Sequence, residues 1–171
     1  MKQKSVAQTY TMKSELVLPN DTNTLGNLMG GKLMHWVDVI AAISAQKATN
    51  RTVVTAAVDS LTFQAPIRLG ELVELEACVT RSFHSSMEVR VEVHSENLMT
   101  GDRRKSNTAF LTFVAVDQSG NSIPVPEIVP HTGTEKRWHK EALKRRELRL
   151  MLSGRKAVTD PEKLLSLFNN N

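Results

Sequence analysis

The chain has 171 residues, of which 40% are hydrophobic, so it can form one globular domain with its own core and is not a disordered chain. Cys78 is the only cysteine, which excludes an intrachain disulfide framework and favours a reducing compartment. The N-terminal stretch lacks the apolar core of a signal peptide, and no apolar run is long enough to span a membrane. We therefore expect a cytoplasmic protein with no membrane partner.

The net charge of +4 is concentrated near the C-terminus. Residues 135–156 contain nine Lys or Arg and three Glu, which leaves the rest of the chain slightly acidic. A basic stretch attracts nucleic acid only non-specifically, and Trp138 is the one aromatic residue among these charges. Because charged helices usually present solvated faces, nucleic acid is not an expected partner.

The N-terminal region is polar, and we expect residues 1–14 to be ordered only in part. A short strand is predicted at 15–18, where Pro19 stops it. Residues 20–27 are rich in Asn, Thr and Asp, which bond locally to the backbone and favour turns and caps. From the residues alone, Asn23 is best interpreted as an ordinary turn or cap residue.

A helix is predicted after this loop, because apolar and small residues recur at helical spacing and leave few polar sides. The positions that carry the pattern are Leu33, Val37, Ile40, Ala41 and Ser44. Asp38 lies in the middle, where a carboxylate is unfavourable and where no Lys or Arg stands four positions away. Gly30 and Gly31 precede the helix and permit close approach to its first N–H groups. This arrangement indicates either a hydrolytic site or simply an exposed helix face.

Four strands are predicted next, since β-branched residues and alternating patterns follow one another with short connections. Their predicted ranges are 52–63, 71–81, 86–94 and 106–117. In the third range Met87 begins an apolar face that alternates with a wet one. One helix on a sheet of antiparallel strands is an α+β arrangement. The sheet should curl around the helix, or a second subunit should help to bury it.

Past Gly120 the composition changes, and prolines mark an extended segment that cannot join a central strand. A charged helix is predicted at 134–152, with a weak apolar stripe formed by Leu143, Leu150 and Met151. A second helix is predicted to start at 159–162 and to carry four apolar residues between 164 and 168. The interpretation is a domain at 8–125 followed by a charged helical extension at 126–171, which packs on the domain or on a neighbouring subunit.

Several segments together resemble the hotdog-fold acyl-CoA thioesterases, the group that includes bacterial short-chain enzymes and brain acyl-CoA hydrolase. The resemblance covers roughly 8–125 and depends on the order and spacing of the segments. They are LVLPNDTNTLGNLMGGKLMHWVDVIAAISA (16–45), VVTAAVDSLTF (53–63), PIRLGE (66–71), HSSMEVRVEVHSENLMTGDRR (84–104) and FLTFVAVD (110–117).

This resemblance implies a curled antiparallel sheet around one long helix, with two subunits pairing edge to edge and three dimers commonly forming a homohexamer. It places active sites at the dimer interface. The family's catalytic aspartate falls on Asp38 and its catalytic asparagine, fifteen residues earlier, falls on Asn23, supplied by the partner subunit. The resemblance thus gives Asn23 a role that its sequence context alone does not.

The implied chemistry is hydrolysis of acyl-CoA with no metal and no cofactor, because a thioester is electrophilic and coenzyme A is part of the substrate. Asp38 would act as general base on water or as nucleophile, with Asn23 orienting the water or the carbonyl. The N–H groups of Gly30 and Gly31 would stabilise the oxyanion, and Ser60 would line the pocket.

The coenzyme A moiety is expected near the Ser-Ser-Met stretch and the strand that follows the helix. The residues assigned to it are Val54, Thr55, Ser85, Ser86 and Arg103. Arg81 and Arg104 could also meet its phosphates by charge. For all three arginines, an exposed charge at a strand end is the alternative interpretation.

Other activities receive less support from the residues. There is no G-x-S-x-G elbow of a serine hydrolase, and the five histidines show no paired spacing for a metal. A hotdog dehydratase would carry a histidine in the loop before the helix, where this chain has Asn23. A binding protein that retains acyl-CoA without cleaving it is the alternative from another functional class. The preferred acyl-chain length does not follow from the sequence.

Overall fold

The computed structural model describes residues 3–61 and 65–154, with the side chains of Ser60 and Leu61 not included. The second predicted C-terminal helix lies outside these residues. Two long helices, seven strands and two short 3-10 turns (Ala7–Thr9 and Pro19–Asp21) make up the described part of the chain. Their bounds are β1 Lys4–Ser5, β2 Thr11–Leu16, α1 Gly30–Thr49, β3 Thr52–Leu61, β4 Leu72–Ser82, β5 Ser86–Glu96, β6 Arg103–Val116, β7 Ile128–Val129 and α2 Gly133–Leu152.

Five of the strands form one antiparallel sheet in the order β2-β4-β5-β6-β3. The prediction of successive antiparallel strands is confirmed, although β4, β5 and β6 are offset by one to three residues at one or both ends. β3 begins at Thr52 as predicted, and residues 62–63 of its predicted range lie outside the described residues. β2 and β3 are the two edges of the sheet. β3 carries two irregularities in its pairing with β6, one after Thr55 and one after Val58. Such bulges twist a strand and change the direction of its side chains.

The N-terminal region is more regular than predicted. β2 begins at Thr11 and ends at Leu16, so the strand predicted at 15–18 had the wrong bounds. Thr9 is fully buried, and its hydroxyl accepts a hydrogen bond from the Val79 N–H at 2.9 Å. β1 pairs in parallel with β7. The expectation of partial order for residues 1–14 is therefore wrong from Lys4 onward, because long-range contacts order a segment whose composition is polar.

α1 packs against all five strands of the sheet, as a helix wrapped by a curled sheet should. The five positions that predicted it are all buried. Ser44 completes the packing by donating from its hydroxyl to the Thr9 carbonyl at 2.8 Å. The helix is not buried all round, however, because Ile43 is 41% exposed and His35 is exposed on the same side. One side of α1 is thus left open by the sheet.

α2 begins where predicted to within one residue, because Thr132 and Glu135 form a capping box. Its predicted apolar stripe is wrong: Leu143 is 40% exposed, and Ala142 is the buried residue of the helix. Arginines reach the outer face of the sheet instead. The Arg145 guanidinium donates twice to the Glu88 carboxylate, at 2.9 Å in each case.

A second ion pair fixes the end of α2 to the edge strand, where Arg149 donates to both oxygens of Asp59 at 2.7 and 3.0 Å. Glu88 is 1% exposed, so the wet face predicted for β5 is wrong at this position. Part of the charged helix therefore packs through paired charges that are largely withdrawn from water. No helix in the described part of the chain is long and apolar enough to cross a membrane.

Candidate active site

Asp38 is half-buried on the side of α1 that meets β3. Its Oδ1 atom accepts a hydrogen bond from the Thr55 hydroxyl at 2.8 Å. Within residues 3–61 and 65–154, no Lys, Arg or His forms an ion pair with Asp38. The sequence leaves open whether Asp38 belongs to a site or to an exposed helix face. In the structure a neutral donor orients its carboxylate, which is still partly accessible, so each interpretation is partly right.

The end of α1 explains why Thr55 reaches Asp38. Asn50 closes the helix in the left-handed conformation, with φ of 53°, and its N–H donates to the Gln46 carbonyl at 2.7 Å. Asparagine tolerates this conformation better than most residues. The chain can then turn back within two residues, so β3 runs along the helix and brings Thr55 level with Asp38.

Asn23 lies in an exposed turn ahead of α1, and its side chain is held by its oxygen. Oδ1 accepts from the N–H groups of Leu25 at 2.9 Å and Asn27 at 3.2 Å. Asn23 is therefore a turn residue, as its sequence context predicts, as far as its side-chain oxygen is concerned. The amide NH₂ has no hydrogen-bond partner among the residues described, so it remains able to donate to another molecule.

Gly30 and Gly31 are the first two residues of α1, not a separate segment before it. Their N–H groups, like those of any helix start, have no acceptor in the part of the chain that is described. Gly31 has no left-handed φ, and a Cβ at this position would meet nothing within 4 Å. Glycine in a helix costs about 1 kcal/mol relative to alanine. The fold of this chain does not require glycine at Gly31, which fits a position where a second molecule approaches the backbone.

Asn23 and Gly30 line a common cavity of about 340 Å³ together with Leu28, Leu33 and Ile67. Asp38 does not line this cavity. It lies eight residues further along α1 than Gly30, which corresponds to about 12 Å of helix. One chain therefore brings Asn23 to the helix start and Thr55 to Asp38, but it does not bring these two pairs together.

Asp21 holds in place the loop before α1, which lines one side of this cavity. Its side chain accepts from the Leu18 N–H at 3.1 Å and pairs with the Lys32 ammonium at 3.0 Å, while its carbonyl accepts from the Met29 N–H at 2.9 Å. The Leu18 N–H and then Lys32 lower the pKa of the Asp21 carboxyl. Nothing in the residues around Asp21 indicates that it holds the loop to the helix.

The residues assigned to coenzyme A separate into two groups. Val54 is opposite Val114 on β6, and Val114 is opposite Ser86 on β5, so these positions form one row across the sheet. Ser85 precedes Ser86 in the same turn, and its carbonyl accepts from the Ala115 N–H at 3.0 Å. This end of the sheet is also the end at which Thr55 meets Asp38.

Arg103 lies at the opposite end of the sheet, where it is opposite Glu96. Its Nε donates to Glu74 at 2.8 Å. Arg104 pairs with Glu71 at 2.8 Å. Both arginines are thus engaged by carboxylates of this chain and are distant from Ser86. The backbone of Ser60 pairs with Phe110, but its side chain is outside the description.

The hydrogen bond between Thr55 and Asp38 is the feature that the sequence did not reveal. The resemblance assigns Thr55 to coenzyme A, and nothing in the spacing of the two residues indicates their contact. The sequence predicts a strand that follows the helix and runs antiparallel to it. This prediction does not fix which residue of the strand lies level with Asp38.

Several sequence relatives match most of this chain, and a model of the thioesterase superfamily matches residues 25–101. YkhA of Bacillus subtilis, an uncharacterized acyl-CoA thioester hydrolase, is 46% identical over 138 residues, 81% of this chain and 80% of that protein. Mouse acyl-coenzyme A thioesterase 11 is 37% identical over 143 residues, 84% of this chain and 24% of that protein. The chain thus spans about a quarter of this mammalian relative.

Solved structures show the same likeness. An apo-hexameric acyl-CoA thioesterase matches with a TM-score of 0.86 and 44% identity, over 92% of this chain and 99% of that one. The acyl-CoA hydrolase from Staphylococcus aureus, in complex with butyryl coenzyme A, coenzyme A and coenzyme A disulfide, matches with a TM-score of 0.83 and 34% identity, over 90% and 96% of the two chains.

Three further structures are variants of the Staphylococcus aureus hydrolase, in which one asparagine, one aspartate or one threonine is replaced by alanine. In that protein the aspartate follows the asparagine by fifteen residues, and the threonine follows the aspartate by seventeen. The expected hotdog architecture is confirmed by these structural matches. Because YkhA matches four fifths of both chains, this chain belongs to the thioesterase superfamily, among the acyl-CoA thioester hydrolases.

Proposed function

We propose that this protein hydrolyses acyl-CoA thioesters to a free acid and coenzyme A, with Asp38 as the catalytic carboxylate. The observation that carries the proposal is the hydrogen bond of 2.8 Å from the Thr55 hydroxyl to Asp38 Oδ1. It orients the carboxylate without neutralising it. Oδ2 is left to accept a proton from water, which is the geometry that a general base requires.

The spacing of three residues supports the assignment. Asn23, Asp38 and Thr55 are separated by fifteen and seventeen positions, as are the three residues replaced in the Staphylococcus aureus variants. In this chain, Thr55 thus belongs with the carboxylate as well as with the coenzyme A arm. We assign to it the orientation of Asp38.

The remaining groups act on the thioester carbonyl. Because Asn23 uses its oxygen inside the turn, its NH₂ group is the part that meets substrate, and it donates to the carbonyl oxygen. The open N–H groups of Gly30 and Gly31 stabilise the negative charge that develops on this oxygen. Water activated by Asp38 attacks the carbonyl carbon, the C–S bond breaks, and coenzyme A leaves as the thiolate.

A complete site needs two copies of the chain in this proposal. The cavity at Asn23 and Gly30 is about 12 Å along α1 from Asp38, too far for both to act on one carbonyl. β3 is an edge strand whose Val54 and Val58 side chains are exposed, so it can pair with a second β3. Such a dimer would place Asp38 of one copy beside the cavity of the other. The hexameric relative supports assembly of three such dimers.

The coenzyme A arm would follow the row formed by Val54, Val114 and Ser86, which begins one residue from Thr55. Arg103 is the weakest of the proposed contacts, because Glu74 already engages it at the other end of the sheet. Cytoplasmic location and catalysis without metal or cofactor stay predictions.

The test is release of thiol from acyl-CoA esters of increasing chain length by wild-type protein, Asp38→Asn and the control Asp102→Asn, an exposed loop carboxylate. We expect kcat to fall about 10²- to 10⁴-fold in Asp38→Asn and to stay unchanged in the control. Circular dichroism and gel filtration verify fold and assembly. Full activity in folded Asp38→Asn would overturn the assignment.

A binding protein without hydrolytic activity is the second candidate, since Asn23 and the helix start could hold a thioester without cleaving it. It predicts that acyl-CoA raises the melting temperature of wild-type protein while no thiol is released from any ester. Turnover by the wild type excludes this candidate.

A further inference from the structure

One ion pair joins the C-terminal helix to the edge strand that carries Thr55, and the proposed hydrolysis gives this pair no role. Arg149 of α2 donates to both oxygens of the Asp59 carboxylate on β3, at 2.7 and 3.0 Å. The two side chains are 21% and 14% exposed, so the pair is largely shielded from water. A bidentate contact of this kind restrains the orientation of both groups as well as their distance.

Asp59 lies at an irregularity of β3 and not in a regular part of the strand. Two residues of β3 are skipped in its pairing register with β6, and they are Ala56 and Asp59. The first of these bulges directly follows Thr55. Extra residues bend a strand and change the side of the sheet that the neighbouring side chains face. The direction of Thr55 therefore depends on how the two bulges are held.

α2 contacts the sheet at the second bulge through two arginines that are one helical turn apart. The guanidinium carbon of Arg145 lies 3.7 Å from the ring centroid of Phe110 on β6. Phe110 is opposite Ser60, the residue after Asp59. Arg149 holds Asp59 itself. The helix thus contacts both strands where their pairing is irregular, and it fixes the second bulge from the outer face of the sheet.

Apolar packing between α2 and β3 is incomplete beside the ion pair. Burial raises the pKa of the Asp59 carboxyl, and the hydrogen bond and charge of Arg149 oppose this effect. Without Arg149, a charged carboxylate would lie where charge is unfavourable, and β3 would have to move to bring it into water. The structure leaves room for this movement in a cavity of about 510 Å³, whose lining includes Ala57, Val58, Leu148 and Leu152.

A movement of β3 acts on the proposed base through Thr55, which precedes Asp59 by four residues. The Thr55 hydroxyl donates to Asp38 Oδ1 at 2.8 Å. Hydrogen bonds between a hydroxyl and an oxygen rarely exceed about 3 Å, so a displacement of the strand by about 1 Å breaks this bond. Asp38 would then lose the donor that orients it.

We propose that Arg149 is a positioning residue for hydrolysis: by pairing with Asp59 it fixes the bulges of β3 and so keeps Thr55 hydrogen-bonded to Asp38. The inference rests on the proposed thioesterase function. It gives the charged C-terminal helix a part in catalysis that requires no contact with the substrate.

The first experiment measures kcat and KM for an acyl-CoA ester in Arg149→Met and in Arg137→Met, which removes an exposed arginine from the same helix as the matched control. We expect kcat to fall about tenfold in Arg149→Met, because an oriented hydrogen bond to a charged group is lost, with KM unchanged. Arg149→Lys keeps the charge and should regain part of kcat. Arg137→Met should match the wild type.

A double-mutant cycle with Thr55→Val distinguishes positioning from a general loss of stability. If Arg149 acts through Thr55, Arg149→Met should lower kcat in the wild type and have no further effect in Thr55→Val. Independent losses that multiply in the double variant would overturn the proposal. So would an unchanged kcat in folded Arg149→Met, or a loss of activity that gel filtration traces to dissociation of the subunits.

Hydrogen exchange followed by mass spectrometry examines the same link without relying on catalysis. We expect the amides of β3 to exchange faster in Arg149→Met than in the wild type or in Arg137→Met, and equal rates would overturn the link between α2 and β3. If the wild type releases no thiol from any ester, the thioesterase function and the catalytic role of Arg149 both fall. The exchange rates would then still decide whether the ion pair holds β3.

Discussion

The two helices pack on opposite faces of one sheet by different physical means. α1 buries apolar and small side chains against all five strands, and Asp38 is its one acidic residue. α2 has the same length, but it reaches the outer face through ion pairs with Glu88 and Asp59 and through rings under its guanidinium groups. The guanidinium carbon of Arg145 is 3.7 Å from the Phe110 ring centroid.

This difference separates two uses of charge in the molecule. On the inner face Asp38 has no ion-pair partner within residues 3–61 and 65–154, which keeps its carboxylate available for chemistry. On the outer face Arg145 and Arg149 pair with carboxylates of the sheet, and these pairs fix a helix that has too few apolar residues to bind the sheet alone. A carboxylate that lacks a cation, as Asp38 does among the described residues, is therefore the informative exception on the inner face.

The largest effect on stability is expected from breaking the outer ion pair. Glu88→Leu leaves Arg145, in a largely buried position, with only the longer contact of 3.8 Å to the exposed Glu141, and we expect a loss of about 3–5 kcal/mol in the free energy of unfolding. The double variant Glu88→Leu with Arg145→Met removes both charges and should recover most of this loss. Urea denaturation of the wild type, the two single variants and the double variant measures the coupling energy between Glu88 and Arg145. If the losses of the two single variants simply add in the double variant, the pair does not hold α2.

The corresponding change on the inner face is Ile40→Ala in the fully buried part of α1. We expect a loss of about 2–5 kcal/mol, because a large apolar side chain is removed from a packed core and a cavity remains. No second substitution on the outer face should rescue it. A rescue by the Arg145→Met background would contradict the separation of the two faces.

A smaller effect concerns the thiol of Cys78, which is buried on the outer face beside Trp138 of α2. Burial raises the pKa of this thiol to about 11, so at pH 8 it is almost entirely protonated and unreactive. We expect slow alkylation in the wild type and faster alkylation in Arg149→Met, where α2 is held less firmly. Mass spectrometry of iodoacetamide-treated protein follows the rate. Equal rates in the two proteins would mean that α2 does not shield Cys78.

The smallest effect is expected at Asp21, which fixes the loop of Asn23 to α1. Its carboxyl pKa is lowered in the folded protein, so the stability that it adds is present above the pKa of the unfolded chain and is lost as pH falls through the folded value. The difference in melting temperature between wild type and Asp21→Asn should therefore shrink below about pH 4. A difference that stays constant to pH 2 would exclude this ionic contribution.

The features that can be predicted from the amino-acid sequence are those whose signal is local. The spacing of Leu33, Val37 and Ile40 predicts α1 because each of these residues faces an apolar sheet, and a regular apolar partner imposes a regular period. Asp38 is conspicuous for the same reason, since it interrupts that pattern. The alternation of Val89, Val91 and Val93 predicts β5, although it does not indicate which polar positions are covered.

Which charges meet depends on the three-dimensional fold. Arg145 and Glu88 are 57 residues apart, and Arg149 and Asp59 are 90 residues apart, so no periodic pattern connects them. The sequence of α2 predicts a solvated face because arginine is usually exposed, and the buried carboxylates that overrule this tendency lie on other elements. Thr55 reaches Asp38 for a similar reason, because the turn at Asn50 sets the position of β3 along the helix. Long-range pairing of this kind is energetically specific but leaves no trace in the neighbouring residues.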